Sequence, residues 1–265
     1  MRCQTNTNTK ILIGLCLTTF FLTSFCLTLR LVNKPIKKGF FCSDITLRLP
    51  YKQSTIPEWV LILVTQTSAI ILIFTIVERR NYKRYVILFI LGVSLNQFIT
   101  DTTKYFTGRL RPNFIQTCNP DITLNKENCG SFENQIYVNN YTCIGNKFID
   151  KSENQKMMQE MRLSFVSGHA SLSTYWMVFC AKLTENRISR RWNLIPILVK
   201  MICMLFTLLT CITRINDNMH HCLDVIFGCI VGIVSALTIY KIENDEPGDK
   251  IGYFDSKGVA HFTKK

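Results

Sequence analysis

Charge is missing from two long stretches of this chain. No Asp, Glu, Lys or Arg occurs from Ile11 to Leu29 or from Trp59 to Val77, and each stretch is long enough to cross a hydrocarbon core as a helix. That argues against the one or two soluble domains which 265 residues would ordinarily suggest. The first stretch also lacks a small-x-small cleavage site before Arg30. Although Arg2 and Lys10 precede it, it is too long for a signal-peptide core and is read as a retained span. An internal repeat and a low-complexity tract are absent. So is a magnesium-binding array, since Asp101, Asp217 and Asp224 have no phosphate-loop glycines beside them; no metal or other cofactor is expected.

Weaker apolar runs occupy Tyr85 to Thr100, Phe165 to Ala181, Leu194 to Ile212 (with Lys200 inside it) and Val225 to Tyr240. The expected fold is therefore an all-α integral membrane protein with six transmembrane helices. A tail (1–10) precedes a six-span membrane domain (11–242), and a second tail (243–265), mixed in charge and expected to be flexible, follows it. Pro112 is expected to end regular structure after the third span. The net charge of +13 is spread between the spans, which fits membrane topology better than nucleic-acid binding.

Arg79, Arg80, Lys83 and Arg84, and again Lys182, Arg187, Arg190 and Arg191, mark two short loops as cytoplasmic and put both termini inside. Lys34, Lys37, Lys38, Arg48 and Lys52 in the first loop argue the other way. Loop 113–160, between spans three and four, is then outside, and it holds the sole N-x-[ST] acceptor, Asn140. Cys42, Cys118, Cys129 and Cys143 fall in outside loops, where disulfides form, but spacing does not say which of them pair. The remaining cysteines lie mostly in apolar runs and pack as small hydrophobes.

With six spans, three polar stretches emerge at the same membrane face. Lys104 and Arg111 follow span three, Ser167-Gly168-His169 precedes span four, and Arg214 through Asp224 joins spans five and six. Lys104, Arg111 and Arg214 supply three cations for a phosphomonoester dianion. Ser167 and Gly168 open a helix whose free N–H groups favour an anion. His220 and Asp224, four apart, share a face if both are helical, so the carboxylate orients the imidazole for attack on phosphorus. His169 protonates the departing alkoxide. His221 is read as a neighbour of the nucleophile.

A blander reading makes Lys104, Arg109 and Arg111 a basic collar snorkelling to lipid headgroups, with the histidines at a membrane interface. Three such patterns in order at one face would arise by chance in roughly one chain in 10^5 or fewer. Three of the four histidines fall inside them.

Lys104-x6-Arg111-Pro112, Ser167-Gly168-His169 and Arg214-x5-His220-x3-Asp224 resemble the three-part signature of the type 2 phosphatidic acid phosphatase superfamily, which includes bacterial acid phosphatases and vanadium haloperoxidases. GFFCSD, PYK, TDTTKYFTGRLRP, RLSFVSGHAS and DNMHHCLDV are similar to the animal lipid phosphate phosphatases, from about Lys34 to Tyr240. The resemblance implies a haloperoxidase-like six-span bundle and metal-independent removal of phosphate from phosphatidate, lysophosphatidate, sphingosine 1-phosphate or ceramide 1-phosphate. It implies an active site facing outside at the plasma membrane, or the lumen of the endoplasmic reticulum or Golgi. Glycosylation of Asn140 and a tendency to form homo-oligomers go with it. Three positions depart from the pattern: Val166 for the usual proline, Thr213 for serine and Asn218 for a common tyrosine. The alternatives are a non-catalytic protein that binds or transfers lipid phosphates, and a phosphatase for soluble or polyprenyl phosphates.

Overall fold

The computed structural model describes residues 2–32, 34–79, 81–122, 129, 136–145, 157–187, 194–245, 250–254 and 260–264. Six long helices make up most of them: α1 (Arg2–Val32), α2 (Glu58–Ile76), α3 (Tyr82–Thr107), α4 (Gly168–Arg187), α5 (Leu194–Asn216) and α6 (Cys222–Asp245). Five are long and apolar enough to span a membrane, over Thr9–Val32, Glu58–Ile76, Tyr82–Thr107, Leu194–Asn216 and Cys222–Asn244.

The exception, α4, sits in the middle of the bundle and has protein, not lipid, on most sides. Ser171, Ser173, Thr174 and Thr184 are buried along it; the hydroxyls of Ser171, Ser173 and Thr184 return to its own carbonyls, and that of Ser171 also accepts the Asn96 amide of α3 at 3.2 Å. Small residues let neighbours come close, which matters because helices in lipid gain little from hydrophobic burial against one another. A Cβ on Gly228 of α6 would lie 2.6 Å from the Ser167 carbonyl oxygen, and one on Gly232 would lie 2.9 Å from Thr174 Cβ. The two glycines thus seat α6 directly on the start of α4.

Deeper in the bundle, Phe89 of α3 packs on Tyr175 and Phe179 of α4 at centroid distances of 5.8 and 4.9 Å. The Tyr175 hydroxyl donates to the Phe89 carbonyl at 2.9 Å. Lys200, the charge inside the fifth apolar run, pairs with Glu185 of α4. Helix α1 lies against α3 through Phe25–Phe98, at 5.1 Å, and an ion pair between Arg30 and Asp101 at 2.7 Å.

A small cap covers one end. β1 (Phe40–Phe41) pairs antiparallel with β2 (Tyr137–Val138), and Phe40, Phe114 and Tyr141 form an edge-on aromatic trio. Disulfides join Cys42 to Cys129 and Cys118 to Cys143, a pairing that spacing left open.

Both ends of the chain differ from expectation in conformation. Helix α1 starts at Arg2, ahead of its apolar part. At the other end α6 runs to Asp245, and β3 (Lys250–Phe254) pairs with β4 (Ala260–Lys264) in a hairpin, Lys250 opposite Lys264. Ile251, Tyr253, Phe254, Phe262 and Thr263 favour extended backbone. Arg80, Arg190 and Arg191, used above for orientation, and much of loop 113–160 lie outside the described residues.

Candidate active site

Helix α3 stops at Gly108, which adopts a left-handed φ of 55° and donates its N–H to the Lys104 carbonyl at 3.0 Å. Glycine takes this C-terminal cap without strain, so Gly108 ends the helix at Thr107, ahead of Pro112, which was expected to end it. Residues 109–111 then form a strap. Ser164 donates its N–H to the Arg109 carbonyl at 3.1 Å, Arg111 donates to the Met161 carbonyl at 2.9 Å, and Ser167 donates to the Asp224 carbonyl at 2.9 Å. The His221 ring meets the Leu110 carbonyl at 3.1 Å through Nε2. The three polar stretches are thereby fastened to one another, and His221 serves as one of the fasteners.

Between them opens a cavity of about 660 Å³, whose wall includes Lys104, Arg111, Gly168, His169, Arg214 and His220. Ser167 and Asp224 lie behind that wall, both fully buried. Ser167 precedes α4, accepting the Ser171 N–H at its carbonyl and the Ala170 N–H at its hydroxyl. The N–H groups of the first helical turn at Gly168 and His169 have no intrahelical partner. Gly168 leaves room for the Lys104 ammonium, which a Cβ there would approach to 3.1 Å.

His220 stands in the turn between α5 and α6, with Nδ1 2.7 Å from the Ser164 carbonyl oxygen. A carbonyl only accepts, so Nδ1 carries the proton and Nε2 keeps its lone pair. Burial first, and then the positive Arg111 and Lys104, hold this imidazole well below the usual histidine range, against the opposing pull of the Ser164 carbonyl. A neutral ring with a free nitrogen in a cationic pocket has the form of a nucleophile.

The structure corrects the role given to Asp224. Helix α6 begins at Cys222, so His220 is not helical and the shared-face argument fails. The nearest approach of Asp224 Oδ2 to His220 Nδ1 is 4.0 Å. The carboxylate instead accepts the Ser164 hydroxyl at 2.6 Å, the His221 N–H at 3.0 Å and Arg109 Nη1 at 2.6 Å. It orients the imidazole at one remove, by fixing the residue whose carbonyl holds it.

Arg109 is therefore engaged inward rather than in a collar. Its neighbour Arg111 faces the cavity, near Met219 Sδ at 3.4 Å and 3.8 Å from Glu160. Burial pushes its guanidinium below the usual arginine value, with Glu160 opposing. Arg214 donates to Asp217 at 3.1 Å and to the Ile56 carbonyl at 3.2 Å. Asp217 also accepts the Thr55 N–H and hydroxyl, each at 2.8 Å. Nε of Arg111 and Nε of Arg214 are buried without a hydrogen-bond partner among the described residues, as suits donors built for an anion. His169 Nε2 lies 3.1 Å from the same Ile56 carbonyl, so its proton is on Nε2 and is held beside the cations.

Ser164, Arg109, Asp217 and Ile56 were not singled out as site residues in the sequence. Asp217, three residues after Arg214, was readable as an ion partner; Ile56 acts through its backbone and left no signal. Asn218 has a left-handed φ of 57°, a conformation asparagine tolerates well, and it donates to the Pro50 carbonyl at 2.8 Å. The Thr213 hydroxyl turns back to the Thr210 carbonyl. Val166 is buried and follows a cis peptide from Phe165. Asn140 lies apart from the cavity, exposed on the cap beside the buried Tyr141.

The family model of the PAP2 superfamily matches residues 85–247, which contain all three polar stretches. The chain belongs to the PAP2 superfamily. Among curated relatives, human phospholipid phosphatase 2 is 35% identical over 257 residues, 89% of this chain and 81% of that protein. The bovine phospholipid phosphatase 2 is 34% identical, covering 83% and 78%, and the mouse phospholipid phosphatase 1 is 30% identical, covering 85% and 81%. No solved structure matches. In this PAP2 chain the cavity joins three cations, a neutral buried imidazole and a second imidazole with its proton placed, all on helix ends locked by the strap.

Proposed function

We propose that the protein is a metal-independent phosphatase of lipid phosphate monoesters that works through a phosphohistidine on His220. The observation that carries this reading is that Lys104, Arg111, Arg214, His169 and His220 line one cavity, together with relatives whose names are phospholipid phosphatase. Lys104, Arg111, Arg214 and the first N–H groups of α4 hold the phosphoryl oxygens, with Ser167 capping that helix. Nε2 of His220 attacks phosphorus as the bond to the lipid oxygen breaks. The bound phosphate dianion offsets the cations and lets His169 take a second proton on Nδ1; the imidazolium then turns its Nε2 proton from the Ile56 carbonyl to the leaving alkoxide, which departs as the alcohol and leaves a neutral ring. Water, deprotonated by the same imidazole, then splits the phosphohistidine, releasing inorganic phosphate and restoring His220.

Phosphatidate, lysophosphatidate, sphingosine 1-phosphate and ceramide 1-phosphate are the substrate class. The cavity opens at the end of the bundle that bears Asn140, which supports an active site facing outside or into a lumen, with Asn140 glycosylated and the tails (1–10 and 243–265) cytoplasmic. Phosphate release from phosphatidate by purified protein in excess chelator tests the proposal. Wild type turns over; His220→Ala loses at least about 10^3-fold and His169→Ala about 10^2- to 10^4-fold. Equal release by all three, or a strict need for a divalent cation, overturns the mechanism; binding without release assigns a lipid-binding role instead.

A further inference from the structure

The cavity continues below the phosphate cradle into the apolar part of the bundle, between α2 and α3, along Leu61, Ile62, Val93 and Leu172. Two amides interrupt that lining, Gln66 of α2 and Gln97 of α3. Gln66 is the one hydrogen-bonding side chain other than hydroxyls between Trp59 and Val77. It is half-buried and makes no hydrogen bond among the described residues. Gln97, which also lines the cavity, already donates its amide N–H to Asp101 Oδ1, at 2.7 Å. An unpaired amide at membrane depth is costly and calls for a partner.

Depth says what that partner is. Gln66 is eight residues along α2 from Glu58, and Gln97 is seven residues before Lys104 in α3. At about 1.5 Å per residue both lie roughly 10–12 Å beneath the phosphate cradle, and each side chain can reach several ångströms back toward it. With that reach subtracted, the groups of a lipid phosphate at the distance that remains are the carbonyls that join its chains to its backbone. We propose that Gln66 is a specificity residue that donates its amide N–H to an acyl carbonyl of the substrate, with Gln97 beside it, so that the enzyme reads the ester or amide linkage as well as the phosphate. This rests on the proposed lipid phosphatase function.

The test is equilibrium binding to the full-length protein in detergent, using phosphonate analogues of diacylglycerol phosphate and of its dialkyl ether counterpart, which lacks the carbonyls. One hydrogen bond predicts that wild type binds the diacyl compound about fivefold more tightly. Gln66→Leu should remove that preference and leave dialkyl affinity within about twofold. Equal affinity of the wild type for the two compounds overturns the proposal, and so does a Gln66→Leu protein that weakens both alike. If Gln66→Leu does not fold, the wild-type ratio and the milder Gln66→Met decide. Because no turnover is needed, a protein that binds with the expected preference but releases no phosphate from phosphatidate fails the function and keeps this inference.

Discussion

Arg109 is the residue whose replacement best separates the structural account from its rivals. Its Nη1 lies 2.6 Å from Asp224 Oδ1, with the arginine side chain 35% exposed and the carboxylate 0%. Removing one partner from a wholly buried ion pair costs about 3–5 kcal/mol. Here water reaches the arginine, and the Ser164 hydroxyl and His221 N–H still donate to Oδ2, so Arg109→Ala should cost about 2 kcal/mol of stability. The catalytic effect travels farther than the contact. A displaced Asp224 frees Ser164, whose carbonyl sets the His220 ring, and a misplacement of about an ångström at a reacting group costs on the order of 10^2 in rate. We expect kcat to fall about 10- to 100-fold with KM within about threefold, and Arg109→Lys, which keeps a charge but not the planar fork, to recover about half of that loss in free energy. Phosphate release from phosphatidate in mixed micelles gives the kinetic constants, and thermal unfolding of the same preparations gives stability. A raised KM with kcat intact would make Arg109 a phosphate ligand; no change in either measurement would return it to a headgroup collar.

At Gly168, substitution by alanine puts a Cβ 3.1 Å from Lys104 Nζ, so the ammonium must yield by a few tenths of an ångström. KM should rise about three- to tenfold while unfolding temperature holds or increases, since alanine suits the first helical turn better than glycine; an unchanged KM with lowered stability would refute the packing argument. The buried His220 predicts the effect of acid. Its folded pKa is depressed, mainly by burial, whereas in the unfolded chain it titrates near about 6.5. Between those values the unfolded state binds the extra proton, so stability rises with pH, is full above about pH 7 and declines as pH falls below about 6.5. The proposed nucleophile stays neutral in that window, and the acid limb of kcat, read at saturating substrate so that ionisation of the free phosphate monoester does not enter, should lie clearly below about 6.5. Rate and unfolding profiles from pH 5 to 8 check both; a rate that falls with a midpoint at 6.5 would mean that His220 is not desolvated as described.

Residue type and order were enough to bring the right stretches together, because a phosphate needs cations and an imidazole, and six spans put those stretches at one face. Spacing picked Arg111 over Arg109 and His220 over His221 for the cavity, but it could not say what the other member of each pair does. The glycine that caps α3 sets the strap after it, and only then does Arg109 meet Asp224 and His221 the Leu110 carbonyl. The four-residue spacing of His220 and Asp224 was misleading for the same kind of reason. It presumes a helix, and the chain enters α6 two residues after His220. Helix α4 shows the limit from the other side. Its serines and threonines lower its apparent fitness as a span, yet those small residues are what allow Gly228 and Gly232 to close on it and bring Asp224 behind Ser167. A helix at the centre of a membrane bundle is selected for what touches it, so its hydropathy understates its depth, and the polar groups it carries there serve the site.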